Sequence, residues 1–303
     1  MSTIWVLDVS GLVHAAFYAT PVTYGANHEP INAIEAALGS VAKIVREHRP
    51  THVVAALDCV GPTWRHLVYP DYKKARRLKP KPPELVRQLQ AFPTFLRALG
   101  IPALQRDTLE GEDVVAGIVE CASAQVFDTV IVANDTDLMQ LVRDRSSTDT
   151  GVRVFNPRSQ KFYDEGSVTT YMGVPPRRIP DFIGIAGDAS DDISGVKGIG
   201  EKGALSLLDE QPTLEQLIEY ADADRWQEKD AAPRGHVWDK LRAHCLDARM
   251  SKHLATLRSD WPDDFEMYEA RWGHPDEERW AILTTETGMH KYDWMVESKR
   301  APG

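Results

Sequence analysis

TVIVAND, residues 129–135, is a short apolar run rich in β-branched side chains that stops at Asn134 and Asp135. Such a run is the pattern of a strand buried on both faces. Two more follow the same form, IWVLD at 4–8 and HVVAALD at 52–58, and each finishes on an aspartate. Ile101-Pro102-Ala103-Leu104 is a weaker fourth. Between them lie helical periodicities at 31–48, 82–99 and 111–124. Strands alternating with helices predict an α/β fold with a mainly parallel central sheet flanked by helices. In such sheets the ligand site lies off the carboxyl ends of the strands. Asp8, Asp58 and Asp135 are therefore expected to converge on one sheet edge.

Three further acidic clusters stand out. LEGEDVVAG carries Glu110, Glu112 and Asp113; NDTDLMQL carries Asp135 and Asp137; GDASDD carries Asp188, Asp191 and Asp192. Glu110 precedes a predicted helix, with Glu112 and Asp113 in its first turn. The three-residue spacing of Asp188 and Asp191 predicts one face of a helical turn. Taken singly, each cluster is better explained as a helix cap or a solvated face, because acids complement helix N-termini. Together they gather too much charge for that reading. Two carboxylates about 4 Å apart repel by roughly 1 kcal/mol in water and roughly 4 at intermediate dielectric. No basic residue is interleaved among them in the sequence, so hard divalent cations on oxygen ligands are the expected counter-charge. Two metal ions about 4 Å apart suit phosphodiester hydrolysis. Magnesium is the default, and manganese should substitute.

The 303-residue chain is 43% hydrophobic, enough for one large or two modest domains. No stretch nears the roughly 20 apolar residues that span a bilayer. The opening MSTIWVLDVSGLVH has no basic head or long apolar run, so a cytoplasmic protein is expected. Cys59, Cys121 and Cys245 are few and far apart, as ordinary reduced thiols. The net charge of −10 argues against non-specific nucleic-acid binding. Its distribution matters more. Residues 65–81, RHLVYPDYKKARRLKPK, hold seven Lys or Arg (Arg65, Lys73, Lys74, Arg76, Arg77, Lys79, Lys81) against Asp71 alone. A basic run with an embedded aromatic suits a path for single-stranded DNA, and the prolines of LKPKPPEL predict that part of it is extended. After about residue 174 the chain turns glycine-punctuated and then reads as helical, with tryptophans from Trp226 to Trp294 dispersed through it.

The ordered series LDVSGLVHAAF, ALDCVGPTWRH, YPDYKKARR, LEGEDVVAG, NDTDLMQL and GDASDDISGVKGIGEKGA resembles the 5′ nuclease (flap endonuclease) family. It is similar in particular to the 5′–3′ exonuclease domain of bacterial DNA polymerase I and to stand-alone relatives, over roughly residues 3–260. The resemblance implies a PIN-like nuclease core over 1–174, with a basic arch or clamp at about 62–99. It implies a helical DNA-binding part over 175–303, with a helix–three-turn–helix element at about 188–209. It places one metal on Asp8, Asp58, Glu110 and Glu112 and a second on Asp135, Asp137 and Asp188, with Asp113 and Asp191 acting directly or through waters. It gives Lys73 and Arg76 a catalytic, phosphate-steering role and has Tyr72 stack on a base. Arg65, Lys74, Arg77, Gly198, Gly200 and Lys202 join the expected DNA contacts. Ser190, with Val196 and Ile199, matches a potassium site.

Three positions depart from the family pattern: Val9 for glycine, Asp192 for asparagine and Ser194 for proline. None removes a carboxylate. The implied protein is a monomeric, stand-alone DNA 5′ nuclease acting on 5′ flaps and 5′ ends in replication and repair. The alternatives are a PIN-type ribonuclease or an inactive DNA-structure-binding protein.

Overall fold

The computed structural model describes residues 2–222, 235–259 and 265–299, so Trp226 and Trp261 lie outside it. Among the described residues a six-stranded sheet runs in the order β3-β2-β1-β4-β5-β6. The strands are β1 (Thr3–Asp8), β2 (His52–Leu57), β3 (Ala103–Gln105), β4 (Asp128–Val132), β5 (Val152–Asn156) and β6 (Lys161–Tyr163). All neighbours pair parallel except β6, which returns antiparallel on β5. The three strongest runs are therefore central, as expected. β5 and β6 have no counterpart among the predicted strands.

Alternation along the strands divides the core. Ile4, Val6, Val54, Ala56, Ile131, Val152 and Val154 face one apolar cluster. Trp5, Leu7, Val53, Ala55, Leu57, Val130, Val132 and Phe155 face the other. Helices cover both faces, which is why these strands are apolar at nearly every position. The first half of the chain supplies α1 (Val9–Ala19), α2 (Asn32–His48), α3 (Trp64–Val68), α4 (Lys74–Arg77), α5 (Pro83–Ala98) and α6 (Gly111–Ala124). Predicted helices at 31–48, 82–99 and 111–124 correspond to α2, α5 and α6. Within the arch expected at about 62–99, α5 buries Leu85, Phe92, Phe95 and Leu96 in the core.

The second half continues with α7 (Glu165–Met172), α8 (Ile179–Ala186), α9 (Glu201–Glu210), α10 (Leu214–Ala221), α11 (His236–Ala243), α12 (Cys245–Ala255), α13 (Glu277–Thr287) and α14 (Trp294–Glu297). Residues 187–200, between α8 and α9, are turns. The paired positions Asp188 and Ile193 close a tight turn rather than the helical turn predicted for Asp188 and Asp191.

The end of the described chain returns to the α/β core. Trp272, Trp280, Leu283, Met289, Tyr292, Met295 and Val296 pack in the same cluster as α1, α2 and α5. Trp272 Nε1 donates to Leu99 O at 2.6 Å and Tyr292 Oη to Glu35 O at 2.8 Å. The apolar side chains of this segment thus complete the first core. No described helix is long and apolar enough to cross a membrane. Trp280→Ala should lower the unfolding free energy by about 3–5 kcal/mol, as expected for a buried tryptophan. Urea titration measures this, and a loss below about 1 kcal/mol would show that the returning segment does not hold the core.

Candidate active site

The strand order reverses at β1, whose neighbours are β2 and β4. Open α/β sheets bind ligands at this switch point, beyond the strands' carboxyl ends. Asp8 is the last residue of β1 and pairs with Ala56, so Asp58 lies two residues past its partner. Leu7 pairs with Val132, and Asp135 follows three residues on. A cleft of about 820 Å³ opens there, lined by Asp8, Asp58, Glu110, Glu112 and Asp135. Lys73, Arg76, Arg77, Lys79 and Lys81 line it too.

Two glycines make room for carboxylates at helix starts. Gly11 N–H donates to Asp8 Oδ1 at 3.1 Å, so Asp8 caps α1. A Cβ at Gly11 would sit 2.0 Å from Asp8 Oδ2. Gly111 N–H donates to Asp58 Oδ1 at 2.7 Å, and a Cβ there would lie 3.1 Å from the same oxygen. The start of α6 is thereby tied to the end of β2.

Two triads could hold a cation. Carboxylate oxygens of Glu112, Asp135 and Asp137 lie within 4.8 Å of one another, and so do those of Asp137, Asp188 and Asp191. Asp137 is shared. Glu112 thus lies with Asp135 and Asp137, and Asp191 with Asp137 and Asp188. Asp8 and Asp58 flank the first triad and belong to neither. Burial, then Asp58 and Asp135, pushes Asp8 up to about 7 despite the Gly11 bond. Burial and the Asp135, Asp191 and Asp188 charges push Asp137 to about 8. Burial and Asp135 raise Glu112 well above the ordinary carboxylate range. Desolvated oxygens that resist ionising side by side are the donor set a hard divalent cation satisfies.

Cationic side chains already meet part of this charge, contrary to the expectation of an uncompensated cluster. Lys73 Nζ lies 3.0 Å from Glu110 Oε2 and 3.3 Å from Asp191 Oδ2. Arg76 reaches Asp191 Oδ1 at 2.9 Å. Burial works against the Lys73 charge, but Glu110, Glu112 and Asp191 hold its pKa well above that of an ordinary lysine.

Three of the expected site residues are buried in contacts within the protein. Asp113 is fully buried. Arg65 grips it bidentately at 2.7 and 2.9 Å, and it also accepts from Trp64 Nε1, Glu110 N–H and Arg258 N–H. Its role is the capping one. Arg65, 1% exposed, offers DNA nothing; it also donates to Leu254 O at 2.7 Å. Tyr72, 2% exposed, has no face for a base, and its hydroxyl donates toward Glu110 Oε2 at 2.9 Å and Asp191 Oδ2 at 3.0 Å. Glu110 is correspondingly engaged by Arg65, Tyr72 and Lys73.

Other expected residues are placed as follows. Lys74 is exposed and pairs with Asp71 at 2.9 Å, and Arg77 is exposed with its guanidinium on Pro70 O. Gly198 and Lys202 are exposed in the turn and at the start of α9, for which Gly200 is the N-cap. Lys240 Nζ donates to Gly198 O at 2.6 Å. Val196 O accepts from Ile199 N–H at 2.9 Å, and Ser190 Oγ lies 3.4 Å from Asp191 Oδ1. His14 was missed. It lines the cleft from α1, and burial and the Lys81 charge push it down to about 4. The helical pattern of VSGLVHAAFYA directly after Asp8 is the signal that could have found it.

Residues 3–173 match the family described as "5′-3′ exonuclease, N-terminal resolvase-like domain", and residues 174–278 match "5′-3′ exonuclease, C-terminal SAM fold". The chain belongs to the 5′–3′ exonuclease family. It is 32% identical over 218 residues to the 5′–3′ exonuclease of Aquifex aeolicus, covering 72% of this chain and 73% of that one. It is 30% identical over 295 residues to DNA polymerase I of Bacillus caldotenax, covering 96% of this chain but 32% of the polymerase. The chain thus spans about a third of that relative's length. A bacteriophage T5 5′-exonuclease with bound zinc superposes with a TM-score of 0.68 at 16% identity, covering 98% of this chain and all of that one. The catalytic core of Rad2 in complex with DNA substrate superposes at 0.61 and 15% identity, covering 99% and 93%. These likenesses establish the PIN-like core with its helical second part.

Arg65→Ala should cost about 3–5 kcal/mol of stability, because it leaves a buried carboxylate unpaired. Urea unfolding in a chelator reads this, and an unchanged midpoint would return Asp113 to the candidate ligands. A pH dependence follows as well. Asp8 and Asp137 have folded values raised from 3.8 to about 7 and about 8. Their contribution is neutral below pH 4, turns unfavourable as pH rises through that window, and is fully unfavourable above it. Metal-free Asp137→Asn should therefore match wild type at pH 4 and exceed it by a few kcal/mol at pH 8. Equal stability at both values would contradict the placement.

Proposed function

We propose that this chain is a divalent-metal-dependent DNA 5′ nuclease, cleaving 5′ flaps and working as a 5′–3′ exonuclease by a two-metal mechanism. The observation that carries this reading is the pair of carboxylate triads sharing Asp137, set at the sheet's switch point beneath Lys73 and Arg76. Family membership supports it. So do the phage enzyme, which binds zinc, and the Rad2 core, which binds DNA.

Glu112, Asp135, Asp137, Asp188 and Asp191 would hold the ions, with Asp8 and Asp58 beside the first triad. All donors are oxygens, which fits Mg²⁺ or Mn²⁺. When bound, such ions supply an activated water and stabilise charge on the leaving oxygen. The chain's own groups position the strand. Lys73 and Arg76 stand in the cleft as cationic contacts for the scissile phosphodiester, while Lys79 and Lys81 extend the positive rim. The neutral imidazole of His14 and exposed Tyr18 border the same opening. The 187–200 turns and the start of α9 would grip duplex backbone, with amides at the helix N-terminus suited to a phosphate. A potassium ion at Ser190, Val196 and Ile199 belongs to the same proposal. We further infer hydrolysis to 5′-phosphate and 3′-hydroxyl ends in replication and repair, by a cytoplasmic monomer.

A labelled 5′-flap duplex with Mg²⁺ or Mn²⁺ tests this. Wild type should release the flap, and Asp135→Asn should lose at least about a hundredfold in rate. Lys73→Ala should fall by a comparable factor. No cleavage by wild type in either metal, or faster cleavage of single-stranded RNA than of the flap, would overturn the reading.

A further inference from the structure

Asp192 has no place in the proposed metal set, yet it contacts the basic segment at a specific atom. Its Oδ2 accepts from Ala75 N–H at 2.8 Å, across 117 residues of sequence. Ala75 lies in the first turn of α4, the helix that carries Lys74, Arg76 and Arg77. The residue in the N-cap position, Lys73, makes no side-chain cap. The free N–H groups of a helix start need an acceptor, and here the 188–193 turn provides one.

Lys73 also has a left-handed backbone, with φ of 50°. A lysine pays for this conformation and keeps it only where its surroundings fix it. Two bonds do so on either side. Lys73 N–H donates to Asp191 O at 2.9 Å, and Ala75 N–H donates to Asp192. Asp192 is itself left-handed, with φ of 56°, a conformation aspartate tolerates better than lysine. The 191–192 turn therefore seats α4 by its backbone, independently of the ion pairs that Lys73 and Arg76 make with Asp191.

We propose that Asp192 is a positioning residue: by capping α4 it sets Lys73 and Arg76 over the carboxylates and couples the turn that leads into α9 to the cleft. Asp192 belongs to neither carboxylate triad and acts through α4. The inference rests on the 5′ nuclease reading for its kinetic consequence, but not for the seating itself.

The experiment compares Asp192→Ala and Asp192→Asn with wild type. Asparagine keeps an acceptor oxygen and alanine does not. In metal-free buffer, limited trypsin digestion should cut after residues 73–77 about fivefold faster in Asp192→Ala, with Asp192→Asn near wild type. With Mg²⁺ and a 5′-flap duplex, Asp192→Ala should lose about fivefold in single-turnover rate while its duplex Kd changes less than twofold, and Asp192→Asn should restore the rate. Trypsin cutting unchanged by Asp192→Ala overturns the seating. A wild-type single-turnover rate in Asp192→Ala, or a loss confined to Kd, overturns the positioning role. If wild type cleaves no substrate, the nuclease reading fails, and the trypsin comparison still decides the seating.

Discussion

Mutual repulsion among carboxylates at one edge of a parallel sheet is the constraint to which the rest of this molecule answers. β1, β2 and β4 deliver Asp8, Asp58 and Asp135 to that edge because of their register. Glycines at the starts of α1 and α6 leave room for the carboxylates of Asp8 and Asp58 against the helix backbone. The consequence is a set of side chains whose ionisation is opposed by burial and by one another. Such a site is stable only with cations in it, and the chain provides some of its own. Lys73 and Arg76 neutralise Glu110 and Asp191 from the same segment that overhangs the cleft.

A second consequence is mechanical. The segment that carries those cations is fastened at two places. At its base, Arg65 is buried against Asp113 and the carbonyl of Leu254, joining α3 to α6 and to α12. At its tip, residues 191 and 192 hold Lys73 and Ala75 by their amides. The α/β part and the helical second part are thus joined through the basic segment as well as through their apolar contact.

The strands and the position of the site could be read from the sequence, because an apolar run ending in aspartate fixes both a strand and the edge at which its acid emerges. The partners of those acids could not. Arg65 and Asp113 are 48 residues apart, and Lys73 and Asp191 farther still. Absence of bases between the acids along the chain therefore said nothing of their absence in space. Spacing was ambiguous too: three residues separate Asp188 and Asp191 in a tight turn just as they would in a helix. β5, β6 and the return of Trp272 and Trp280 to the first core depend on tertiary pairing that a local pattern does not carry.

Asp8 and Asp113 show what decides between a capping acid and a ligand. Both sit in the first turn or cap position of a helix, and both accept backbone N–H bonds there. Local pattern treats them alike, and the helix dipole favours both. The difference lies in what else reaches them. Asp113 has Arg65 on both oxygens and Trp64 beside them, so its charge is fully met by protein and its burial is complete. Asp8 commits one oxygen to Gly11 and lines the open cleft, where Asp58 and Asp135 oppose its charge more strongly than Lys73 favours it. What separates the two is therefore not the local pattern but whether the protein itself meets the charge, as Arg65 does for Asp113, or leaves the carboxylate facing the cleft.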